Sequence, residues 1–340
     1  MNNVKILESG ILATIQDGGR IGHQGEGVIN SGVMDSLAYQ IGNALVGNNL
    51  SHNPASIEFG VNGGKVKFLT SSVVAITGAR VDLKRNDVLV SQDVPIYVEK
   101  NDVLDFTHVI QGRFVYFNIA GGIKVPKIMD SHATSITINL GGFNGRRLKN
   151  GDLLPILSLS ETGITNMQKI SPKIPNNATS FSVKSKIRIV NGPEFDWFSE
   201  IAWQKLLNEP FTLGKHLNRM GYRIDGPIIE YKLENLLSEA NINGAIQVSR
   251  DGQPIILMAD RATHGGYPVI AKVIAADLGV LAQWPQNKPI YFETVQLKQA
   301  WYFLQKQANI VSSICSDQPW QVVMPQRMMA NKIEQLFLKK

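Results

Sequence analysis

The sequence predicts a mainly β protein with a few helices, arranged as two domains. Three observations carry this. Short apolar or alternating runs rich in β-branched residues recur between turn signals. The helices of about ten residues that would have to alternate with strands in a parallel α/β sheet are missing before residue 190. The 340 residues correspond to about two domains at about 150 residues each.

In chain order, strands are expected over residues 11–15, 65–68, 73–77, 95–98 and 114–119. Between the first two, Asp35 is placed to cap a helix over residues 36–46, with Gly47 just past its end. Ala38, Ile41 and Leu45 share that helix's apolar face. Three turns precede apolar pairs: Asn86-Asp87, Asn101-Asp102 and Asn150-Gly151-Asp152. Asn, Asp and Gly tolerate the backbone angles that tight turns require. Residues 161–186 contain Pro172, Pro175, Asn176 and Asn177 with little periodicity, as expected of a connection between domains. Pro193 is placed to open a second helix through Trp197, Ile201 and Leu206. Residues 245–249 and 253–258 flank Arg250-Asp251-Gly252, a hairpin signal. Further helices are expected over 269–276 and over 293–307, the latter with Ala300, Phe303 and Leu304 apolar. The tail from Pro325, with Met328, Ile333 and Leu336, reads as a docking helix. The expected division is a β domain over 1–180, a second over 181–315 and a helical tail over 316–340.

Composition narrows the function. Hydrophobic residues are 44% and charged residues 18%, which excludes disorder as the dominant state. No apolar run reaches the ~18 residues that span a bilayer. The opening MNNVKILESG has no long apolar segment, so no signal peptide is expected. A single cysteine, Cys315, makes no internal disulfide and suits a reducing cytoplasm. The net charge of +6 is scattered, with no run of five like charges. That pattern argues against nucleic acid and for anionic small molecules or an acidic partner protein.

Standard catalytic signatures are absent. Gly214-Lys215 is followed by His216 and lacks the upstream glycine of a phosphate-binding loop. Gly25-Glu26-Gly27-Val28-Ile29-Asn30 ends in Asn where a dinucleotide fingerprint needs glycine. None of the six histidines pair at metal-ligand spacing, and no metal site is expected. There is no G-x-S-x-G elbow and no biotin-acceptor A-M-K-M segment.

What remains is a set of polar loops. Gln16-Asp17-Gly18-Gly19-Arg20 follows a strand-like run. Its glycines allow close backbone approach to a ligand, and Arg20 can bind a carboxylate bidentately. The alternative is an ordinary solvated turn. Asn30-Ser31-Gly32-Val33-Met34-Asp35 enters the first helix, either as an anion site or as a simple cap. Ala120-Gly121-Gly122-Ile123 is a bulge or a ligand-approach site. Arg219 and Arg223 suit a carboxylate or phosphoryl group if they converge. The densest cluster is Asp260-Arg261-Ala262-Thr263-His264-Gly265-Gly266-Tyr267-Pro268. It joins carboxylate, guanidinium, hydroxyl and imidazole to a Gly-Gly pair, and Asp260 and His264 can act as acid or base. The bland alternative is that Asp260 and Arg261 merely pair.

Taken together, these loops resemble a known family. The matching stretches are Thr14-Ile15-Gln16-Asp17-Gly18-Gly19-Arg20, Ser31-Gly32-Val33-Met34-Asp35 and Asn43-Ala44-Leu45-Val46-Gly47-Asn48. They continue with Ala120-Gly121-Gly122-Ile123-Lys124-Val125-Pro126, Arg219-Met220-Gly221 and Gly244-Ala245-Ile246-Gln247-Val248. Asp251-Gly252-Gln253-Pro254-Ile255 and Gly265-Gly266-Tyr267-Pro268 complete the series. In this order they resemble the PxpC/KipA family, that is, the C subunit of bacterial 5-oxoprolinase, also known as biotin-dependent carboxyltransferase or allophanate hydrolase subunit 2.

The resemblance implies two cyclophilin-like β-barrel domains, a PxpB/KipI-type partner and a PxpA-type subunit. It implies ATP-driven opening of 5-oxo-L-proline to L-glutamate, with ATP held here, on a partner or between them. Alternatives within the resemblance are a carboxyltransferase component, needing biotin on another chain, or a KipA-type regulatory binding partner. Such chemistry needs donors for a developing oxyanion and a group that manages a proton. Glycine-loop N–H groups with Arg20, Arg219 or Arg223 are candidates for the first, and Asp260 or His264 for the second. Candidate substrate-binding residues are Gly18, Gly19, Ser31, Gly32, Gly121, Gly122, Arg219, Arg223, Thr263, Gly265, Gly266 and Tyr267. The chain departs from the family pattern at Ile29 (usually Pro), His132-Ala133 (Arg-Ser), Leu217-Asn218 (Ser-Asp), Ser249 (Pro) and His264 (Thr).

Overall fold

A computed structural model describes residues 3–157, 186–232 and 236–315. The first half holds β1 (Asn3–Glu8), β2 (Leu12–Gln16), β3 (Ser56–Gly60), β4 (Lys65–Phe68), β5 (Ser72–Val81) and β6 (Lys84–Arg85). It continues with β7 (Val88–Leu89), β8 (Ile96–Val98), β9 (Val103–Asp105), β10 (Val109–Ile119) and β11 (Leu153–Pro155). The second half holds β12 (Ile187–Asn191), β13 (Thr212–Leu217), β14 (Gly221–Asp225), β15 (Glu239–Ala240) and β16 (Ala245–Val248). It closes with β17 (Pro254–Leu257), β18 (His264–Gly265), β19 (Val269–Val273) and β20 (Phe292–Thr294). The α-helices among the described residues are α1 (Ser36–Leu45), α2 (Glu200–Asn208), α3 (Ala275–Ala282) and α4 (Leu297–Cys315). The mainly β fold is therefore the one expected.

The first half pairs its strands into two antiparallel sheets, ordered β11-β1-β4-β9-β6-β7 and β2-β3-β10-β5-β8. Between them lies a closed core that includes Ile6, Ile57, Phe59, Phe68, Phe106 and Phe117. The second half forms a seven-stranded sheet, β13-β14-β17-β16-β19-β12-β20, in which only the β12–β20 pair is parallel, and a two-stranded antiparallel sheet, β15-β18.

Packing joins the halves. The core over the second sheet takes in Met34, Ala38, Tyr39, Phe114 and Tyr116 from the first half. A smaller cluster packs Val311, Ile314 and Cys315 of α4 against Ile41 and Leu45 of α1 and Val73 of β5. The expected domain boundary near residue 180 and the tail 316–340 lie outside the described residues, as does most of the 161–186 connection. No helix among the described residues is long and apolar enough to cross a membrane.

Several elements follow the sequence closely. Asp35 caps α1, its side chain accepting from the Ala38 N–H, and Gly47 beyond the helix end has φ 71°. Residues 65–68 form β4, and β16 and β17 form the expected hairpin. Others differ. The helix expected over 269–276 is instead strand β19 followed by α3. The β-branched Val269, Ile270 and Val273 lie between β12 and β16 in the sheet, and the helix starts only after them. Pro193 does not open α2. Residues 195–197 make a short 3-10 turn, and Ser199 caps the helix by accepting from the Ala202 N–H at 3.2 Å. Ile201 consequently faces solvent, while Ala202, Trp203 and Leu206 are buried. The last helix starts at Leu297 because residues 292–294 add β20 beside β12. The tail expected to dock from Pro325 falls outside the described residues.

Candidate functional site

Arg219 lies in the turn between β13 and β14, and Asp260 follows β17. The Asp260 N–H donates to the Arg219 carbonyl at 2.8 Å, which sets the two side chains face to face. Nε donates to Oδ2 at 2.9 Å and Nη2 to Oδ1 at 3.1 Å. The same guanidinium donates to the Glu58 carboxylate on β3 and to the Gly32 carbonyl, both in the first half. Glu58 Oε2 also accepts from the Met34 N–H at 2.8 Å and the Tyr116 hydroxyl at 2.7 Å. Burial pushes the Glu58 carboxyl above its usual range, with Arg219 opposing. Burial also works against the Arg219 charge, but Asp260 and Glu58 outweigh it and hold the guanidinium protonated. Both Asp260 oxygens are committed to Arg219, and the residue is 6% exposed. This cluster bolts the two halves together.

The predicted glycine loops of the first half are also tightly packed. Asp17 accepts from the Gly19 N–H at 2.8 Å, the Ser131 hydroxyl at 2.7 Å and the His132 N–H at 2.6 Å. Gly18 N–H donates to Asn53 Oδ1 at 2.6 Å. Gly32 has φ +89°, and a Cβ there would come within 2.8 Å of the Gly19 Cα. The two loops thus lie backbone against backbone, which only glycine permits. Ser31 beside it is buried, at φ 51°. Arg20 is fully buried, with Nε donating to the Ile128 carbonyl and Nη2 to the Ala133 carbonyl, each at 2.9 Å. Burial lowers its pKa, with Asp17 opposing. In this position Arg20 braces the 128–133 loop. Gly121 N–H donates to Asn48 Oδ1 at 2.7 Å, and Gly122 N–H to the Ile119 carbonyl at 2.9 Å.

Arg219 and Arg223 do not converge. Arg219 sits in the buried junction, whereas Arg223 reaches the hairpin tip and pairs with Asp251 at the surface. Ser249's hydroxyl and Arg223 together draw the Asp251 carboxyl down to about 2.

A second polar face is built on the sheet of the second half. Gln247 Nε2 donates to Asn241 Oδ1 at 2.9 Å, and Asn241 Nδ2 to the Ala262 carbonyl at 3.1 Å. Arg261 Nε donates to the Asn241 carbonyl at 3.2 Å. Gln24, from the first half, donates to the Asn241 carbonyl at 2.8 Å and the Thr263 carbonyl at 2.7 Å. A Cβ on Gly265 would come within 2.7 Å of Asn241 Oδ1 and 2.8 Å of Gln247 Nε2, so β18 lies on these amides only because residue 265 is glycine.

Lys272 is on the strand beside them, opposite Ala245. Burial lowers its pKa and Arg261 lowers it further. Burial lowers that of Arg261 too, with Asp260 opposing. Among the described residues, neither cation forms an ion pair. At the rim, His264 Nδ1 lies 3.0 Å from Thr263 Oγ1, and Gly266 and Tyr267 are exposed. Two cations, an amide pair and a hydroxyl–imidazole pair at the rim suit an anionic substrate group and a proton transfer beside it. No group of His, Cys, Asp or Glu among the described residues is suited to a metal.

Glu58, Gln24, Asn241 and Lys272 lie outside the sequence motifs, and Gln247 lies in one of them without having been a candidate site residue. Lys272 had a signal, since it is the one charge in the apolar run 268–276. Gln24 and Asn241 are ordinary surface-type residues whose meeting depends on the docking of the halves.

Comparison with known proteins places this arrangement in a context. Residues 26–294 match the family described as carboxyltransferase domain, subdomain A and B. The chain is 35% identical over 298 residues to the 5-oxoprolinase C subunit of Escherichia coli (strain K12), covering 87% of this chain and 93% of that protein. Identity to the Haemophilus influenzae protein of the same name is also 35%, over 302 residues, with the same coverage. Kluyveromyces lactis urea carboxylase superposes with a TM-score of 0.83 at 29% identity, over 92% of this chain and 29% of that one.

Proposed function

This chain belongs to the carboxyltransferase-domain family, subdomains A and B, and from that premise we propose that it is the C subunit of an ATP-dependent 5-oxoprolinase. The observation that carries the proposal is the near end-to-end match, at 35% identity, to 93% of the Escherichia coli 5-oxoprolinase C subunit. In the proposed reaction the ring amide C–N bond of 5-oxo-L-proline breaks. One water adds its oxygen to the carbonyl carbon, the ring nitrogen leaves as the amine of L-glutamate, and hydrolysis of ATP to ADP and phosphate by a second water drives the step.

The pieces of this chain divide the work. Arg261 and Lys272 hold an anionic group, a carboxylate or a phosphoryl oxygen, with Gln24 and Asn241 fixing the loop that carries Arg261. Half-buried Thr263 and exposed His264 are the groups that manage a proton. Asp260 acts through Arg219 as a positioning residue. Arg20, Gly18, Gly19, Ser31 and Gly32 shape the first-half scaffold on which the junction rests. ATP supplies the driving force. This chain has no recognisable nucleotide loop, so ATP is assigned to a partner or to a shared site. PxpB/KipI-type and PxpA-type subunits complete the enzyme, which is active only as the complex.

The test is co-expression with PxpA- and PxpB-type subunits and assay of ATP-dependent glutamate release, leaving out one component at a time. Glutamate that appears only with this chain present supports the role, and a stable complex without turnover counts against it.

A carboxyltransferase reading is favoured by the family description and the likeness to Kluyveromyces lactis urea carboxylase. It requires a biotin-bearing protein on another chain, and a biotinylated co-purifying protein distinguishes it.

A further inference from the structure

On the Arg261–Lys272 face a chain of amides ends in a free acceptor. The Ala262 carbonyl can only accept a hydrogen bond, so the Asn241 group 3.1 Å from it is the Nδ2 amine. Asn241 Oδ1 is then the acceptor 2.9 Å from Gln247, which turns the Gln247 Nε2 toward Asn241. Gln247 Oε1 remains, with no hydrogen-bond partner among the described residues. We propose that Gln247 Oε1 is a specificity element, taking the ring N–H of 5-oxoproline while Arg261 and Lys272 take its carboxylate. The proposal deepens the oxoprolinase reading and rests on it for the choice of ligand.

The sheet brings the three groups together. Ile246 and Val248 of β16 enter the core, so Ala245 and Gln247 point to the opposite face. Lys272 is directly across from Ala245, on that face. The Asn241 carbonyl takes Arg261 Nε at 3.2 Å, so the residue that orients Gln247 also places the guanidinium. Gln247 is 6% exposed and Arg261 8%, so neither is a solvated surface group. The sealed, unpaired polar atoms among the described residues nevertheless include neither Gln247 Oε1 nor the two Arg261 Nη atoms. These three are unpaired and keep accessible surface, as a site for a ligand requires.

The chemistry of the ligand follows. In 5-oxoproline the carboxylate is on the carbon next to the ring nitrogen, so an anion and an uncharged N–H donor stand side by side. In L-proline and in L-glutamate that nitrogen is an ammonium. Arg261 is the charge that acts on Lys272, and Asp260, the carboxylate that acts on Arg261, has both oxygens on Arg219. An ammonium at this position therefore meets two like charges. A ring oxygen in place of the N–H meets the Gln247 oxygen as a second acceptor and leaves it unpaired. The face thus selects a carboxylate beside an uncharged N–H and disfavours the free amino acid that the reaction forms.

Ligand-observed NMR titration of the full chain tests this with 5-oxo-L-proline, its lactone isostere 5-oxotetrahydrofuran-2-carboxylate and L-proline. The expected result is saturable binding of the lactam, about tenfold tighter than the lactone, with L-proline the weakest. Gln247→Leu binds lactam and lactone equally. Asn241→Ala releases the Gln247 amide to turn over and also removes the preference. Arg261→Gln weakens both ligands and keeps their ratio. Equal binding of lactam and lactone by the parent overturns the proposal, as does L-proline binding as tightly as the lactam, or no saturable binding of the lactam. A preference that persists in both Gln247→Leu and Asn241→Ala assigns the N–H to another group and overturns it. Loss of both ligands in both variants makes Gln247 structural and overturns it too. The lactam-to-lactone ratio is read without turnover, so it can fail while the complex releases glutamate. Absent glutamate release with the ratio intact counts against the oxoprolinase reading alone.

Discussion

Arg219 and Asp260 meet in a two-point ion pair, 2.9 Å and 3.1 Å between heavy atoms, at the buried seam of the two halves. Glu58 adds a second carboxylate to the same guanidinium. The pair is only as good as its completeness, because removing one member strands a buried charge.

Asp260→Asn is therefore expected to destabilise the chain by about 3–5 kcal/mol. Urea denaturation of the full chain checks it. A variant that keeps its unfolding midpoint but loses glutamate release in the complex assigns Asp260 to the chemistry instead of the scaffold.

Lys272→Met is expected to lower glutamate release by the complex at least tenfold, while thermal stability holds or rises. The lysine is already penalised by burial and by Arg261, so an apolar side chain of similar length relieves that cost. Lost stability with unchanged turnover contradicts a substrate-binding role.

Gly32→Ala is expected to destabilise the chain by more than about 1 kcal/mol. Its φ of +89° disfavours a side chain, and the added Cβ runs into the Gly19 backbone. Differential scanning calorimetry of the variant checks this, and a melting temperature equal to that of the parent contradicts the packing described.

Asp152 provides a pH test. Its carboxylate takes Arg146 at 2.8 Å and 2.9 Å and also the Lys149 N–H, and these hold its pKa below the usual 3.8. A carboxyl whose folded pKa is depressed binds fewer protons folded than unfolded. Its contribution is present above 3.8 and fades as pH falls through the folded value. Asp152→Asn should thus be less stable than the parent at pH 7, by about 1 kcal/mol for a partly exposed pair, with the gap narrowing in acid. Urea titrations from pH 7 down to pH 3 read this directly, and a pH-independent gap contradicts it.

Much of the fold was legible because its signals are local. The Asp35 cap, the Asn86, Asn101 and Gly151 turns with positive φ, and the 245–258 hairpin each depend on a few adjacent residues. Residues 269–276 were not, because a short β-branched run has no periodicity that separates a buried strand from a buried helix, and sheet neighbours decided it.

The sequence by itself determined the β class, the turns and, through its ordered glycine motifs, the family. Only the tertiary structure decided what those motifs do. Gly18, Gly19 and Gly32 lie against one another, Arg20 is sealed onto carbonyls, and Arg219 is buried while Arg223 is not. The physical reason is that conformational freedom and side-chain chemistry are properties of a residue. Burial and pairing belong instead to residues far apart in the chain, such as Glu58 with Arg219 or Gln24 with Thr263, and exist only once the halves have docked.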